Sequence, residues 1–260
     1  MNLELNREYP DPDEAKLIEE MVKVAVERMK PQQGRIRRGQ HAKATGCVRG
    51  VFRIRDDVPV DLRHGVFYRP GQSFQAAGWF ALFHPRHLTS IMKILSETVA
   101  SPLVTYWSGS PYWLGPPGTT GGCAVKYSLV PGFKGAAPPI DLKIKPDDYL
   151  SQALEQYLRT REAVFEFRVQ PQTDPVAMPV EDVSVEWDEA VSKPIPVATL
   201  TIGVQDVDST EGRALAEECE TMAFSPWNAL AEHRPMGGIN RLRQAVYLAS
   251  QAKRASKSLL

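Results

Sequence analysis

An α+β fold is predicted for this chain of 260 residues by three observations. Apolar residues recur at helical spacing near both ends, runs of β-branched and aromatic residues fill the middle, and no internal repeat is present. No segment has the composition of a linker between domains, and the chain is close to the largest size at which one hydrophobic core keeps growing. We therefore expect a single domain that covers residues 1–260.

Helices are predicted wherever apolar residues return every three or four positions among charged ones. The first such pattern covers residues 13–30 and ends at Pro31, which cannot continue a helix. The last and longest begins shortly after Gly237 and Gly238. The predicted helices after the first cover residues 84–99, 148–159, 211–222 and 241–257.

Strands are predicted where short runs are rich in valine, isoleucine, threonine and aromatic residues. The first run alternates apolar and charged side chains before Asp56 and Asp57 turn the chain. Most of the strands lie in the middle of the sequence, between the predicted helices. They cover residues 51–54, 64–67, 125–129, 164–169 and 197–202.

Charge and targeting signals exclude several classes of function. The 31 lysines and arginines balance the 31 aspartates and glutamates, so no net field favours a nucleic acid partner. The N-terminus is acidic where a signal peptide would be basic and then apolar, and no stretch reaches the length of a membrane span. We therefore expect a cytoplasmic protein. The final Leu-Leu only approximates the Ser-Lys-Leu peroxisomal signal, so it gives little support to peroxisomal import.

The cysteines give no sign of a metal or redox motif. Cys47, Cys123 and Cys219 are odd in number and far apart, and no two of them form a Cys-x-x-Cys pair. We expect buried thiols in a reducing compartment.

The last predicted helix carries the strongest candidate site. Arg243, Tyr247 and Arg254 fall on one stripe, because positions four before and seven after a residue return to the same helix face. A phenolate ligand at neutral pH needs a ferric iron on its oxygen and a positive charge within reach, and an arginine one turn away supplies that charge. The alternative is a surface helix with solvated arginines and a tyrosine packed in the core.

The segment PMGGINRLRQAVY at residues 235–247, followed by Arg254, resembles the proximal haem helix of catalase-like haem proteins. In that family a tyrosine ligates the iron. The resemblance implies that Tyr247 is the ligand of haem b, that Arg243 hydrogen-bonds the phenolate, and that Arg254 lies on the same face, within reach of a propionate. It also implies an antiparallel β-barrel core of the catalase type, with flanking helices and a haem-ligating C-terminal helix. Shorter similarities lie at residues 178–182, 223–228 and 232–235.

A second motif matches the opposite, distal side of the haem in that family. The segment RGQHAKATG at residues 38–46 resembles the family's Arg-x-x-His-Ala-Lys-x-x-Gly pattern, with His41 as the histidine. An imidazole near a bound peroxide takes the proton of the inner oxygen and gives it to the outer one. Arg38 resembles the arginine that steers a propionate. By itself, a histidine beside a basic stretch is more often a surface or packing histidine, and Arg35 and Arg37 are equally consistent with solvated charge.

The sequence departs from the family in one region. The family's distal asparagine and its Arg-Phe-Ser segment have no counterpart, which indicates a domain shortened between about residues 76 and 84. His84 and His87 follow this region, three apart on one predicted helix face, and are interpreted as solvated rather than as a metal pair.

The function that the resemblance implies is the haem-dependent breakdown of hydrogen peroxide or organic hydroperoxides, with the peroxide as the small-molecule partner. A homo-oligomer is left open. One alternative is a degenerate haem-binding protein without turnover, which the shortened region favours. Another is a haem enzyme that converts fatty-acid hydroperoxides, ranked lower because Gln40 stands where those enzymes carry a threonine.

Overall fold

A computed structural model describes residues 3–29, 47–57, 103–116, 121–132 and 149–257, and it contains both helices and an antiparallel sheet. The α+β class is therefore confirmed. A short 3-10 turn, Ala231–His233, precedes the last helix. The helices are α1 (Glu14–Arg28), α2 (Tyr149–Leu158), α3 (Thr210–Thr221) and α4 (Gly238–Lys257). The strands are β1 (Val51–Ile54), β2 (Tyr106–Trp107), β3 (Tyr112–Leu114), β4 (Cys123–Pro131), β5 (Ala163–Pro171) and β6 (Ile195–Ile202).

The described strands form one sheet in the order β1-β6-β5-β4-β2, and β3 also pairs with β4. Every pairing is antiparallel. Buried and half-buried side chains alternate strictly over the first seven residues of the central strand β5, and the odd-numbered ones are buried. On this face Phe165 packs with Leu154 and Leu158 of α2, while Phe167 packs with Val125 of β4. The opposite face is covered as well, because Trp113 and Ala124 are buried there with Met178, Val180, Trp187 and Met236.

The predicted barrel is wrong for the described part of the chain, where the sheet is open. Barrel closure requires the two edges of the sheet to pair with each other. Here β1 pairs with β6 and β2 pairs with β4, so the two lie at opposite edges of the strand order. Both edge strands are short and exposed, with Val51 at 63% and Trp107 at 59% exposure, and short edge strands offer little backbone for further pairing.

Most predicted elements that fall on described residues are confirmed. Each of the four helices there begins and ends within two residues of its predicted limits, except that α4 begins three residues before its predicted start, at Gly238. The predicted strands match β1, β4, β5 and β6. The strand at 64–67, the helix at 84–99 and the shortened region lie outside the described residues.

The cysteine expectation is wrong for two of the three residues. Cys47 and Cys219 form a disulfide, with their Cα atoms 6.5 Å apart, across 172 residues of sequence. Cys123 is a half-buried thiol. Sequence spacing gives no information on such a pair, because the two cysteines meet only after β1 and α3 have taken their places in the fold.

Candidate functional site

The start of α4 is fixed by a glycine and two carboxylates. Gly237 has a φ of +83°, and a Cβ atom there would collide with the carbonyl oxygen of Val180. The Gly237 N–H donates to Glu8 Oε1 at 2.8 Å, and the Gly238 N–H donates to Glu181 Oε2 at 2.7 Å. The first N–H groups of a helix have no partner within the helix and favour negative charge, so the two glutamates stabilise this end.

Arg243 and Tyr247 lie together on the face of α4 that the sequence predicts. The guanidinium carbon of Arg243 is 5.8 Å from the centre of the Tyr247 ring, a distance at which a cation is attracted to an aromatic face. Both side chains are half-buried. The spacing of four residues brings them together, because side chains four apart are neighbours on a helix surface.

The Arg243 guanidinium is held by two neutral oxygens. Its Nη1 donates to Ser110 Oγ at 3.3 Å and to Asn240 Oδ1 at 3.2 Å. Ser110 precedes β3, and Asn240 lies three residues earlier on α4. The guanidinium is therefore attached to the sheet side of the molecule as well as to its own helix.

Arg254 lies about two turns beyond Tyr247 and contacts the end of α3. Its Nη1 donates to the carbonyl oxygen of Glu220 at 2.7 Å, and its Nη2 donates to that of Met222 at 3.4 Å. The last carbonyl groups of a helix have no partner within the helix. Arg254 thus joins α4 to α3 and brings a positive charge to the negative end of that helix.

A groove of about 100 Å³ runs between α4 and the segment that follows α3. Tyr247 and Arg254 line it from the helix, and Trp227 lines the opposite wall. The Trp227 indole donates from Nε1 to the backbone oxygen of Asn240 at 2.7 Å, which fixes that wall to α4. The other lining residues are Ala223, Phe224, Ser225, Asn228, Gln244, Leu248 and Gln251.

The groove has one property that suits haem and one that does not. The donor set fits, because a phenol oxygen can ligate ferric iron and Arg243 places a positive charge beside the ring. The volume of about 100 Å³ is below the range of about 300 to 1,000 Å³ typical of ligand-enclosing pockets. The groove thus offers a donor atom suited to ferric iron, but its volume is smaller than that of a pocket that encloses a ligand.

The structure describes three of the five predicted site residues. Arg243, Tyr247 and Arg254 share one side of α4, as the sequence predicts. Arg38 and His41 lie outside the described residues. Ser110 and Trp227 are neighbours of the site that sequence reasoning missed, and neither stands in a pattern that could have indicated it. Asn240 could have been found, since it lies three residues before Arg243 on the same face.

Within the described residues, no helix has both the length and the apolar character needed to cross a membrane. The described ranges also contain no group of three or more His, Cys, Asp and Glu side chains arranged to hold a metal ion.

Comparison with known proteins gives structural similarity only. No family model and no curated protein matches this sequence. A fungal catalase is 18% identical over 60% of this chain and 32% of its own, with a TM-score of 0.46. Catalase A from Saccharomyces cerevisiae is 16% identical over 60% and 31%, with a TM-score of 0.41, and a bacterial catalase is 16% identical over 68% and 35%, with a TM-score of 0.47. The chain spans about a third of the length of each.

Proposed function

We propose that this protein binds haem b through Tyr247 and breaks down hydrogen peroxide or organic hydroperoxides. The observation that carries the proposal is the pairing of Tyr247 with the Arg243 guanidinium, 5.8 Å from its ring, on a helix face that lines a groove. The proximal-helix motif at residues 235–247 supplies the chemical interpretation.

The residues of α4 hold the cofactor. Tyr247 would ligate the iron through its phenol oxygen, and the positive charge of Arg243 would favour the phenolate over the phenol. Arg254, held at the end of α3, would pair with a propionate, and the motif at residues 38–46 implies the same role for Arg38. Bound haem supplies the redox chemistry that cleaves the O–O bond.

His41 moves the proton. Cleavage of a peroxide requires that the inner oxygen lose its proton and that the outer oxygen gain one as it leaves as water or an alcohol. A neutral imidazole accepts the first proton and, as imidazolium, donates it to the leaving oxygen. The net protonation of His41 is unchanged over the step.

Absorption spectra and oxygen release from peroxide test this function. The haem-reconstituted wild type is expected to show a Soret band with a high-spin ferric spectrum and to release oxygen. His41→Ala is expected to keep the band and to lose roughly 100-fold or more of the rate, the usual contribution of a general acid–base group. Tyr247→Phe is expected to lose both. His84→Ala, in a residue interpreted as solvated, is the histidine control.

A second candidate is a haem-binding protein without turnover. It is favoured by the missing distal asparagine and by the shortened region near residues 76 to 84. A wild type that binds haem through Tyr247 and releases no oxygen and oxidises no donor supports this candidate over the enzyme. A wild type that takes up no haem contradicts both.

A further inference from the structure

The side-chain amide of Asn240 is fully buried, and both its nitrogen and its oxygen form hydrogen bonds. Its side chain has an exposure of 0%. Its Nδ2 donates to the carbonyl oxygens of Pro111 and Met236, each at 2.9 Å. Because carbonyl oxygens only accept, the amide nitrogen must face them, and the oxygen Oδ1 must face the opposite way.

The oxygen of that amide faces the candidate site. Oδ1 accepts from Ser110 Oγ at 3.0 Å and from Arg243 Nη1 at 3.2 Å, and the same Nη1 donates to Ser110 Oγ at 3.3 Å. The three side chains therefore form a closed triangle of hydrogen bonds. Ser110 is 3% exposed, so two corners of the triangle are shielded from water. The Asn240 amide is bonded at both ends, so any other orientation would leave one of its buried polar groups unsatisfied.

Two of the oxygens that contact Arg243, Ser110 Oγ and Asn240 Oδ1, are uncharged. A hydroxyl and an amide orient the guanidinium without cancelling its charge. Arg241, two residues earlier, is held differently, since carboxylates of Glu8, Glu14 and Glu181 surround it. The hydroxyl of Ser110 and the amide of Asn240 thus orient the Arg243 guanidinium and add no negative charge of their own beside it.

The same amide residue is joined to the wall of the groove. Its backbone oxygen accepts from Trp227 Nε1 at 2.7 Å, and Trp227 lines the groove together with Tyr247. One residue therefore connects the β3 side, the guanidinium and the groove wall.

We propose that Asn240 and Ser110 are positioning residues that fix the Arg243 guanidinium beside the Tyr247 ring and thereby strengthen Tyr247 as an iron ligand. The proposal rests on the proposed function, and it adds two residues to that site. Both act through Arg243.

A double-mutant cycle on haem affinity tests the proposal. The variants are Ser110→Ala, Arg243→Gln and the two combined, each titrated with haem as purified apoprotein. Ser110→Ala removes a hydrogen bond to the charged guanidinium, and this loss is expected to weaken haem binding about tenfold. In the Arg243→Gln background the same change is expected to alter affinity less than about twofold, because its effect passes through the guanidinium.

Ser192→Ala is the matched control. Ser192 is also a buried serine, 5% exposed, and its hydroxyl donates to the carbonyl oxygen of Pro171 at 2.6 Å. It is expected to leave haem affinity unchanged. Asn240→Asp keeps the shape of the side chain but adds a carboxylate, and it is expected to weaken haem binding and to shift the ferric absorption bands. Circular dichroism checks that every variant is folded.

The outcomes distinguish the positioning role of Asn240 and Ser110 from haem binding by Tyr247. If the wild type binds haem through Tyr247 and the Ser110→Ala effect is equal in both backgrounds, the two residues are only structural and the positioning proposal is overturned alone. If the wild type binds no haem, or Tyr247→Phe binds it equally well, the proposed function fails first and the positioning role fails with it.

Discussion

His233 is a buried imidazole in a largely apolar part of the protein. It is 7% exposed, and its Nδ1 lies 3.0 Å from the hydroxyl oxygen of Tyr127. Its Nε2 has no hydrogen-bond partner among the residues that the structure describes. Burial away from water lowers the pKa of His233 to about 4, although the nearby charge of Glu232 acts in the opposite direction.

This pKa predicts a loss of stability in mild acid. The unfolded histidine gains a proton near pH 6.5, whereas the folded one stays neutral until about pH 4. Between these values the unfolded state binds more protons, so the free energy of unfolding falls as the pH falls, by at most about 3 kcal/mol. Urea unfolding at pH 7 and pH 4.5 checks this. His233→Gln is expected to lose less stability than the wild type over this range, and an equal loss would contradict the account.

The site shows at residue scale what sequence can and cannot predict. The face shared by Arg243 and Tyr247 follows from helix geometry alone, so their placement was predictable. The contact of Arg243 with Ser110 joins residues 133 positions apart, and no local pattern encodes it. The same holds for Arg254, whose helix face was predictable and whose carbonyl partners on α3 were not.

At the scale of elements, α1 lies parallel to α4. Arg241 Nε donates to Glu14 Oε1 at 2.6 Å, and Lys253 Nζ donates to the carbonyl oxygen of Val26. The partners advance by twelve residues on both helices, so the two helices run in the same direction. Arg241 also contacts Glu8 and Glu181, each at 2.8 Å, and thereby ties the N-terminal segment and the start of α4 to one cation.

Replacing Arg241 is expected to loosen this helix pair. Arg241→Met leaves three carboxylates near one another, each only 18 to 26% exposed, and lowers the free energy of unfolding by about 2 kcal/mol or more. The matched change Arg213→Met removes an ion pair to Asp208 in which both side chains are more than half exposed, and it is expected to cost less than about 1 kcal/mol. Urea titrations of both variants check the difference, and equal losses would refute it.

The predicted and observed strands differ for physical reasons. Long runs such as β5 and β6 are rich in β-branched and aromatic residues, so their composition was sufficient. The strands β2 and β3 have only two and three residues, too few for an alternating pattern to appear. Whether a sheet closes depends on which edges meet, and β1 and β2 lie at opposite edges. Composition does not determine that property.

At the scale of the whole molecule, the disulfide joins Cys47, just before β1, to α3. The part of α3 that carries Cys219 is next to Glu220, whose carbonyl accepts from Arg254. One covalent bond and one hydrogen bond therefore link the segment before β1 to the helix of the candidate site. This segment begins six residues after His41.

Loss of this disulfide is expected to destabilise the fold. A crosslink across 172 residues restricts the unfolded chain strongly, so Cys219→Ser is expected to lower the free energy of unfolding by about 2 to 4 kcal/mol. Cys123→Ser is the control that leaves the disulfide in place. Mass spectrometry after alkylation in denaturant is expected to find one modified cysteine without reduction and three after it. Three without reduction would contradict the pairing.

Resonance Raman spectroscopy of the ferric, haem-loaded protein tests the ligation by Tyr247 most directly, because it detects vibrations of an iron-bound phenolate. The wild type is predicted to show these bands and Tyr247→Phe to lose them. Tyr157→Phe is the control. It removes from α2 a hydroxyl that donates to the carbonyl oxygen of Glu162, and it is predicted to keep the bands. Haem that binds without phenolate bands, or with the same bands in Tyr247→Phe, would contradict the central claim.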